Sequence, residues 1–201
     1  MDSVVNYGIS ILEIYKKELQ KLEQIIQNQP DFLKIVDLIT HKKGKLIFTG
    51  IGKSGHIVKK AAATFASLGI SSFFIHSTEA SHGDIGMIDD NDILFAISNS
   101  GETPELKDII ITCKNKKIPI ISISKTEDSF LGQNSDLFLE IKCSEAMPNI
   151  PAPTSSTTTV LTILDIIACC IANNKQFSIK DYAVNHPGGK LGELARKEFK
   201  I

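Results

Sequence analysis

The stretch Ile93-Leu94-Phe95-Ala96-Ile97-Ser98-Asn99-Ser100-Gly101-Glu102-Thr103-Pro104-Glu105 decides how the rest of the chain is read. Its opening run is apolar without alternation, the pattern of a strand buried on both faces. The run breaks directly into hydroxyl and amide side chains, then a glycine, then a proline suited to the first turn of a helix. A loop of this kind aims backbone N–H groups, hydroxyls and the positive end of a helix dipole at one point, which favours a bound phosphate. An ordinary βα turn needs one Ser or Thr as a cap. Ser98, Ser100 and Thr103 around Gly101 exceed that need.

The same grammar recurs outward from this stretch. Leu46-Ile47-Phe48, Ser72-Phe73-Phe74-Ile75, Ile118 to Ile123 and Leu137 to Ile141 are short apolar runs bounded by Gly, Pro, Asn, Asp or Ser. Helical stretches lie between several of them, at Ile57 to Leu68 and Pro104 to Lys114. Strands alternating with helices predict parallel strands joined by crossovers. The fold class is therefore α/β, a three-layer αβα sandwich with about five parallel strands of the flavodoxin-like kind. Residues 1–28 read as a helix with an apolar stripe at Val4, Gly8, Ile11, Tyr15, Leu19, Leu22 and Ile26. That stripe suits the chain's own core and also a partner subunit. Near the other end, Pro153 to Thr159 is a Ser/Thr-rich entry to a long apolar helix, Val160 to Asn173. The division expected is one domain: a helical region 1–44, an α/β core 45–175 and a tail 176–201.

Composition excludes several classes. The chain has 201 residues, 42% hydrophobic and 22% charged, with a net charge of −1. That charge leaves no footprint for nucleic acid or an anionic membrane. No apolar run reaches the ~18 residues of a membrane span. Met1-Asp2-Ser3 lacks the basic-then-apolar layout of a signal peptide. Cys113, Cys143, Cys169 and Cys170 form no CxxC pair. They are expected to be reduced and mostly buried, in a cytoplasmic protein.

Two glycine motifs are tested by their context. Gly50-Ile51-Gly52-Lys53-Ser54-Gly55 matches GxGxxG, but the second strand ends Phe74-Ile75-His76-Ser77, without the acid that holds a dinucleotide ribose. A nucleotide P-loop needs glycine where Ile47 stands. What remains is a Gly-rich turn at a strand's carboxyl end, presenting Lys53 and Ser54 where open α/β sheets bind ligands. His76 to Asp84 holds two histidines and two acids, in a loop that is either plain surface or part of the same cleft. Glu145 follows the last strand and is a candidate acid or base. His186 precedes Pro187-Gly188-Gly189, a rigid then permissive turn.

Taken in order, Gly50 to His56, Glu79 to Asp84, Ser98 to Thr103, Ala152 to Thr158 and His186 to Gly189 resemble the sugar isomerase (SIS) domain of arabinose-5-phosphate isomerases. The resemblance covers about residues 5 to 195. It implies interconversion of D-ribulose 5-phosphate and D-arabinose 5-phosphate, feeding synthesis of Kdo, a lipopolysaccharide sugar. By resemblance, Lys53, Glu105, Glu145 and His186 fall on catalytic positions and His82 on a substrate-contacting one. His76 falls on a position where a divalent metal such as zinc binds as an inhibitor; no cofactor is required. The family assembles as homotetramers whose cleft is completed by a neighbour. Many members carry two CBS domains beyond this one. Here the sequence ends at Lys200-Ile201, as a single-domain member or the front of a longer chain.

The chemistry asks for these groups. Moving a carbonyl between C1 and C2 removes a proton from carbon, forms a cis-enediol and returns a proton to the neighbouring carbon. Glu145 is the first choice for the C–H base and Glu105 the second. His186 would handle hydroxyl protons or ring opening, and Lys53 would stabilise enediolate charge. Ser54, Ser98, Asn99, Ser100 and Thr103 would hold the sugar phosphate. A non-catalytic sugar-phosphate sensor and an isomerase of a hexulose phosphate are the competing readings.

Overall fold

A computed structural model describes residues 2–147, 149–189, 192–193 and 197–198. Part of the expected C-terminal tail lies outside the described residues. Five parallel strands form one sheet: β1 (Leu46–Gly50), β2 (Ser72–His76), β3 (Ile93–Ile97), β4 (Ile120–Ser124) and β5 (Leu137–Glu140). Their order is β2-β1-β3-β4-β5, the doubly wound order in which the chain switches direction between β1 and β3. Every residue of β1, β3 and β4 is buried, as their unbroken apolar runs predict, while edge strands β2 and β5 are partly exposed.

Helices α1 (Asp2–Asn28), α2 (Pro30–His41), α3 (Gly52–Ser67) and α7 (Ser155–Asn174) enclose the larger core. Phe48 and Phe95 stack there on adjacent strands, with centroids 5.3 Å apart, and Phe65 of α3 meets Phe48 edge-on at 5.1 Å. Burying one such side chain contributes about 1.5–3 kcal/mol. On the other face α4 (Ser77–Ser81), α5 (Lys107–Asn115) and α6 (Phe130–Gln133) contribute to a second core around Ile47, Leu94 and Ile109. The last named helix is α8 (Ile179–Asn185).

The break between α1 and α2 shields an edge of the sheet. Gln29 donates through Nε2 to the Glu140 carbonyl (2.9 Å) and accepts from the Glu140 N–H (3.0 Å). Asp31 accepts from the Phe138 N–H at 3.0 Å. Side chains thus satisfy the open backbone of β5, which would otherwise invite edge pairing.

Several local expectations shift. The segment after β2, read as a loop, contains the short helix α4. α3 opens at Gly52 and α7 at Ser155, each ahead of the apolar run that marked it. All four cysteines are free, but only Cys113 is buried; Cys169 is exposed, so the expectation of mostly buried cysteines fails. Cys169 lies on the outward face of α7, whose inward face carries Ala168, Ile171 and Ala172. Among the described residues α7 alone has the length and apolarity of a membrane span, and about half of it is buried in the core.

Candidate active site

Two loops from neighbouring strands meet at the switch point. The first leaves β1 into α3, and the second leaves β3 into a 3-10 turn at Pro104–Leu106. Between them is a cleft of about 330 Å³ lined by Lys53, Ser54, Ile97, Ser98, Asn99, Ser100, Thr103 and Pro153, with Ile51 at its edge. Five of the six substrate-binding residues expected from sequence line it, together with Lys53.

Local physics shapes both loops. A Cβ at Gly55 would stand 2.9 Å from the Gly50 carbonyl oxygen, so glycine lets the first turn of α3 close onto the end of β1. Ile51 at the N-cap supplies no side-chain cap, which leaves N–H groups of that turn without intrahelical partners. In the second loop Ser98 Oγ lies 2.7 Å from Thr103 Oγ1 and accepts from the Gly101 N–H at 3.1 Å. Ser100 Oγ accepts from the Glu102 N–H at 3.2 Å. The hydroxyls thus hold the loop's shape while Ser100 and Thr103 still line the cleft. Gly101 has φ +71°, and a Cβ there would lie 2.1 Å from the buried Ser129 Oγ. Gly101→Ala is expected to cost about 1–3 kcal/mol of stability and several degrees of Tm. An unchanged melting curve would contradict this account of the loop.

The proposed acid–base groups are not among the residues that line this cleft. Glu145, between β5 and α7, does not line the cleft; its Oε2 accepts from the Thr154 N–H (2.7 Å), the Thr154 hydroxyl (2.9 Å) and the Ser156 N–H (3.4 Å). Burial pushes its pKa up, but these bonds from Ser156 and Thr154 outweigh burial and hold the carboxyl below its ordinary value. Glu145 therefore braces the start of α7, doing the work a cap would do. That is why α7 begins inside the Ser/Thr-rich entry. Glu105 is exposed on the 3-10 turn, two residues past Thr103.

His186 follows α8 at the far end of α3. Its Nε2 is 2.9 Å from Ser67 Oγ, at the last residue of α3. Lys53 stands at the second residue of the same helix, so about 21 Å of helix axis separates the two at ~1.5 Å per residue. Within one chain His186 and Lys53 do not share a site. His82 is exposed at the end of α4. His76 ends β2, with its Nδ1 buried and without a protein partner and its ring edge-on to Phe74. A cation needs several donors. Among the described residues no three His, Cys, Asp or Glu side chains gather, so His76 alone does not make a metal site within this chain.

A family model for the SIS domain matches residues 38–169, more than half of the chain. The chain belongs to the SIS domain family. The arabinose 5-phosphate isomerase KdsD of Francisella tularensis is 43% identical over 196 residues, covering 96% of this chain and 59% of that relative. The KdsD of Yersinia pestis is 44% identical over 186 residues, covering 92% of this chain and 56% of that relative. This chain thus spans a little under three fifths of the curated relatives it matches. A solved structure, that of E. coli CFT073 c3406 in complex with arabinose 5-phosphate, superposes with a TM-score of 0.86 at 35% identity, covering 92% of this chain and 98% of that one. In this SIS domain, as the sequence predicts, the strand-end loops hold the cleft. What sequence did not reveal is Glu145's engagement with α7 and the distance of His186. Both are long-range facts with no local signature.

Proposed function

We propose that this SIS domain is an aldose–ketose isomerase. It interconverts D-ribulose 5-phosphate and D-arabinose 5-phosphate through a cis-enediol and supplies Kdo synthesis in the cytoplasm. The carrying observation is the hydroxyl-lined cleft at the β1/β3 switch point with Lys53 in its lining. The names of the KdsD relatives and the arabinose 5-phosphate complex of the structural neighbour support the substrate.

Glu145 already places an anion at the start of α7, so the phosphate belongs at the uncapped start of α3 and the Ser98–Thr103 loop. Anchored there, the sugar brings C1 and C2 along the cleft. A carboxylate removes the proton from C1 of the ketose while the C2 oxygen gains a proton. The enediol is then reprotonated on C2, and the C1 hydroxyl loses its proton to give the aldose. Lys53 stabilises enediolate charge. Glu145 Oε2 accepts from Thr154 and Ser156 at the start of α7, so we place the base first at Glu105, reversing the order read from sequence. His186 serves hydroxyl protons from a neighbouring copy. No step is routed through a metal.

The assembly is proposed to be a homotetramer. Val4, Val5, Tyr7, Ile9 and Leu12 are each more than half exposed on the first part of α1, an apolar surface that a second copy would cover. One observation favours a second reading, a sugar-phosphate sensor: within one chain the cleft holds anion-binding groups without Glu105, Glu145 or His186. Purified protein incubated with ribulose 5-phosphate and, separately, with a hexulose 6-phosphate separates the readings. Aldose formed from the pentulose supports the proposal. Turnover of the hexulose alone, or binding without turnover, contradicts it.

A further inference from the structure

The ring of His186 is held on three sides. Its Nδ1 lies 2.9 Å from the Tyr182 carbonyl oxygen, its Nε2 lies 2.9 Å from Ser67 Oγ, and its plane stacks on the Tyr182 ring at 3.8 Å and 18°. A carbonyl oxygen only accepts, so Nδ1 must carry a proton in every state of this arrangement. The neutral ring is then the Nδ1–H tautomer, with the lone pair on Nε2 and the Ser67 hydroxyl donating to it. When Nε2 is protonated, the same hydroxyl turns and accepts. A hydroxyl is suited to this position because it partners either state without moving the ring.

The framework around the ring is fixed by tight packing and a cap. Phe177, which leads into α8, lies across Gly69 just past α3, where φ is +77° and a Cβ would come within 2.7 Å of the Phe177 ring. The α8 helix opens on a reciprocal capping box between Ser178 and Asp181. The end of α3 and the start of α8 are thereby held together, and the Ser67 hydroxyl is delivered to the imidazole.

We infer that Ser67 and Tyr182 are positioning residues. They fix His186 as the Nδ1–H tautomer and keep Nε2 as the one nitrogen that exchanges a proton, with Ser67 as its two-way partner. The inference deepens the proposed isomerase and rests on His186 taking part in it. No motif marks Ser67 in the sequence; it is found only through its contact with a residue far along the chain.

Histidine ¹⁵N spectra of the full oligomeric protein test this directly, with His186→Gln identifying the His186 signals among the five histidines. The expected wild-type pattern above the titration is a protonated Nδ1 and an unprotonated Nε2. In Ser67→Ala the Nε2 signal should shift as its lone pair loses the donating hydroxyl, while Nδ1 stays protonated against the Tyr182 carbonyl. The kcat for ribulose 5-phosphate should fall roughly three- to tenfold, the scale of one neutral hydrogen bond, with KM little changed. Ser67→Thr should restore both. Tyr182→Leu keeps the carbonyl but loses the stack and should broaden the His186 signals. A wild-type spectrum with the proton on Nε2, or His186 signals indifferent to Ser67→Ala, overturns the inference. If His186→Gln turns over at the wild-type rate while the signals still respond to Ser67→Ala, the tautomer assignment stands and the catalytic reading of His186 fails instead.

Discussion

Glu105→Gln is expected to lower kcat by roughly 10²–10⁴-fold with KM little changed, the usual scale for losing a general base. Glu145→Gln is expected to retain most of the activity. Both substitutions keep side-chain shape and remove charge, so the contrast reads chemistry rather than packing. It follows from where the carboxylates are placed. Glu105 sits beside the loop that lines the cleft, whereas Glu145 Oε2 accepts from Thr154 and Ser156 at the start of α7. Gln at position 145 retains a carbonyl acceptor for those donors; Ala does not. Glu145→Ala should therefore lose stability, by about 1–3 kcal/mol for leaving partly buried donors unsatisfied. The pH dependence has a definite sign. A carboxyl whose pKa is lowered by folding contributes stability at neutral pH, and that contribution fades as pH falls through the ordinary carboxylate range to the lowered value. Severe loss in Glu145→Gln, with Glu105→Gln active, would restore the sequence-based order. Activity in both would end the carboxylate-base account and point to His186.

Mixed oligomers carry the second large effect. Lys53→Ala and His186→Ala should each lose roughly 10²-fold or more of kcat when pure. In an equal mixture that has exchanged subunits, about a quarter of the sites should combine an intact Lys53 with an intact His186 from a neighbour. Activity should then recover to about a quarter of wild type. The basis is geometric. Ser67 and Lys53 are at opposite ends of α3, and His186 is bonded to Ser67. No side-chain rotation closes ~21 Å. Exchange confirmed by mass spectrometry, with no recovery of activity, would place both residues in one site on one chain. It would also remove the reason for proposing a shared cleft.

Much of the fold is legible because its signals are local. Strands β1, β3 and β4 are apolar on both faces because helices cover both faces, so the runs at Leu46, Ile93 and Ile120 read directly as central strands. The Ser98–Thr103 loop is equally readable, since hydroxyl, glycine and proline each answer a specific backbone demand. Legibility fails where one part of the chain acts on a remote part. Val160 marked the apolar body of α7, but the helix starts at Ser155 because Glu145, ten residues earlier, accepts from its first N–H groups. Pro30 begins a second helix, and Gln29 and Asp31 at its start tie down β5, a contact between residues more than 100 apart in sequence (111 for Gln29 and Glu140). Cys169 fails as a core residue because α7 turns one stripe outward, and the apolar run does not say which. His186 is singled out in the sequence by its Pro-Gly-Gly turn, but nothing in that turn tells that its ring seats on Ser67.

The central claim is that this domain moves a carbon-bound proton of a pentose phosphate. The purified protein incubated with D-ribulose 5-phosphate in D₂O, followed by ¹H and ³¹P NMR, reads this step directly. The account predicts D-arabinose 5-phosphate with solvent deuterium on C2, in whole or in part if one carboxylate carries the same proton between adjacent carbons. Binding of the sugar phosphate with no aldose formed and no carbon-bound proton exchanged would contradict it, and would leave the cleft as a sensor's binding site.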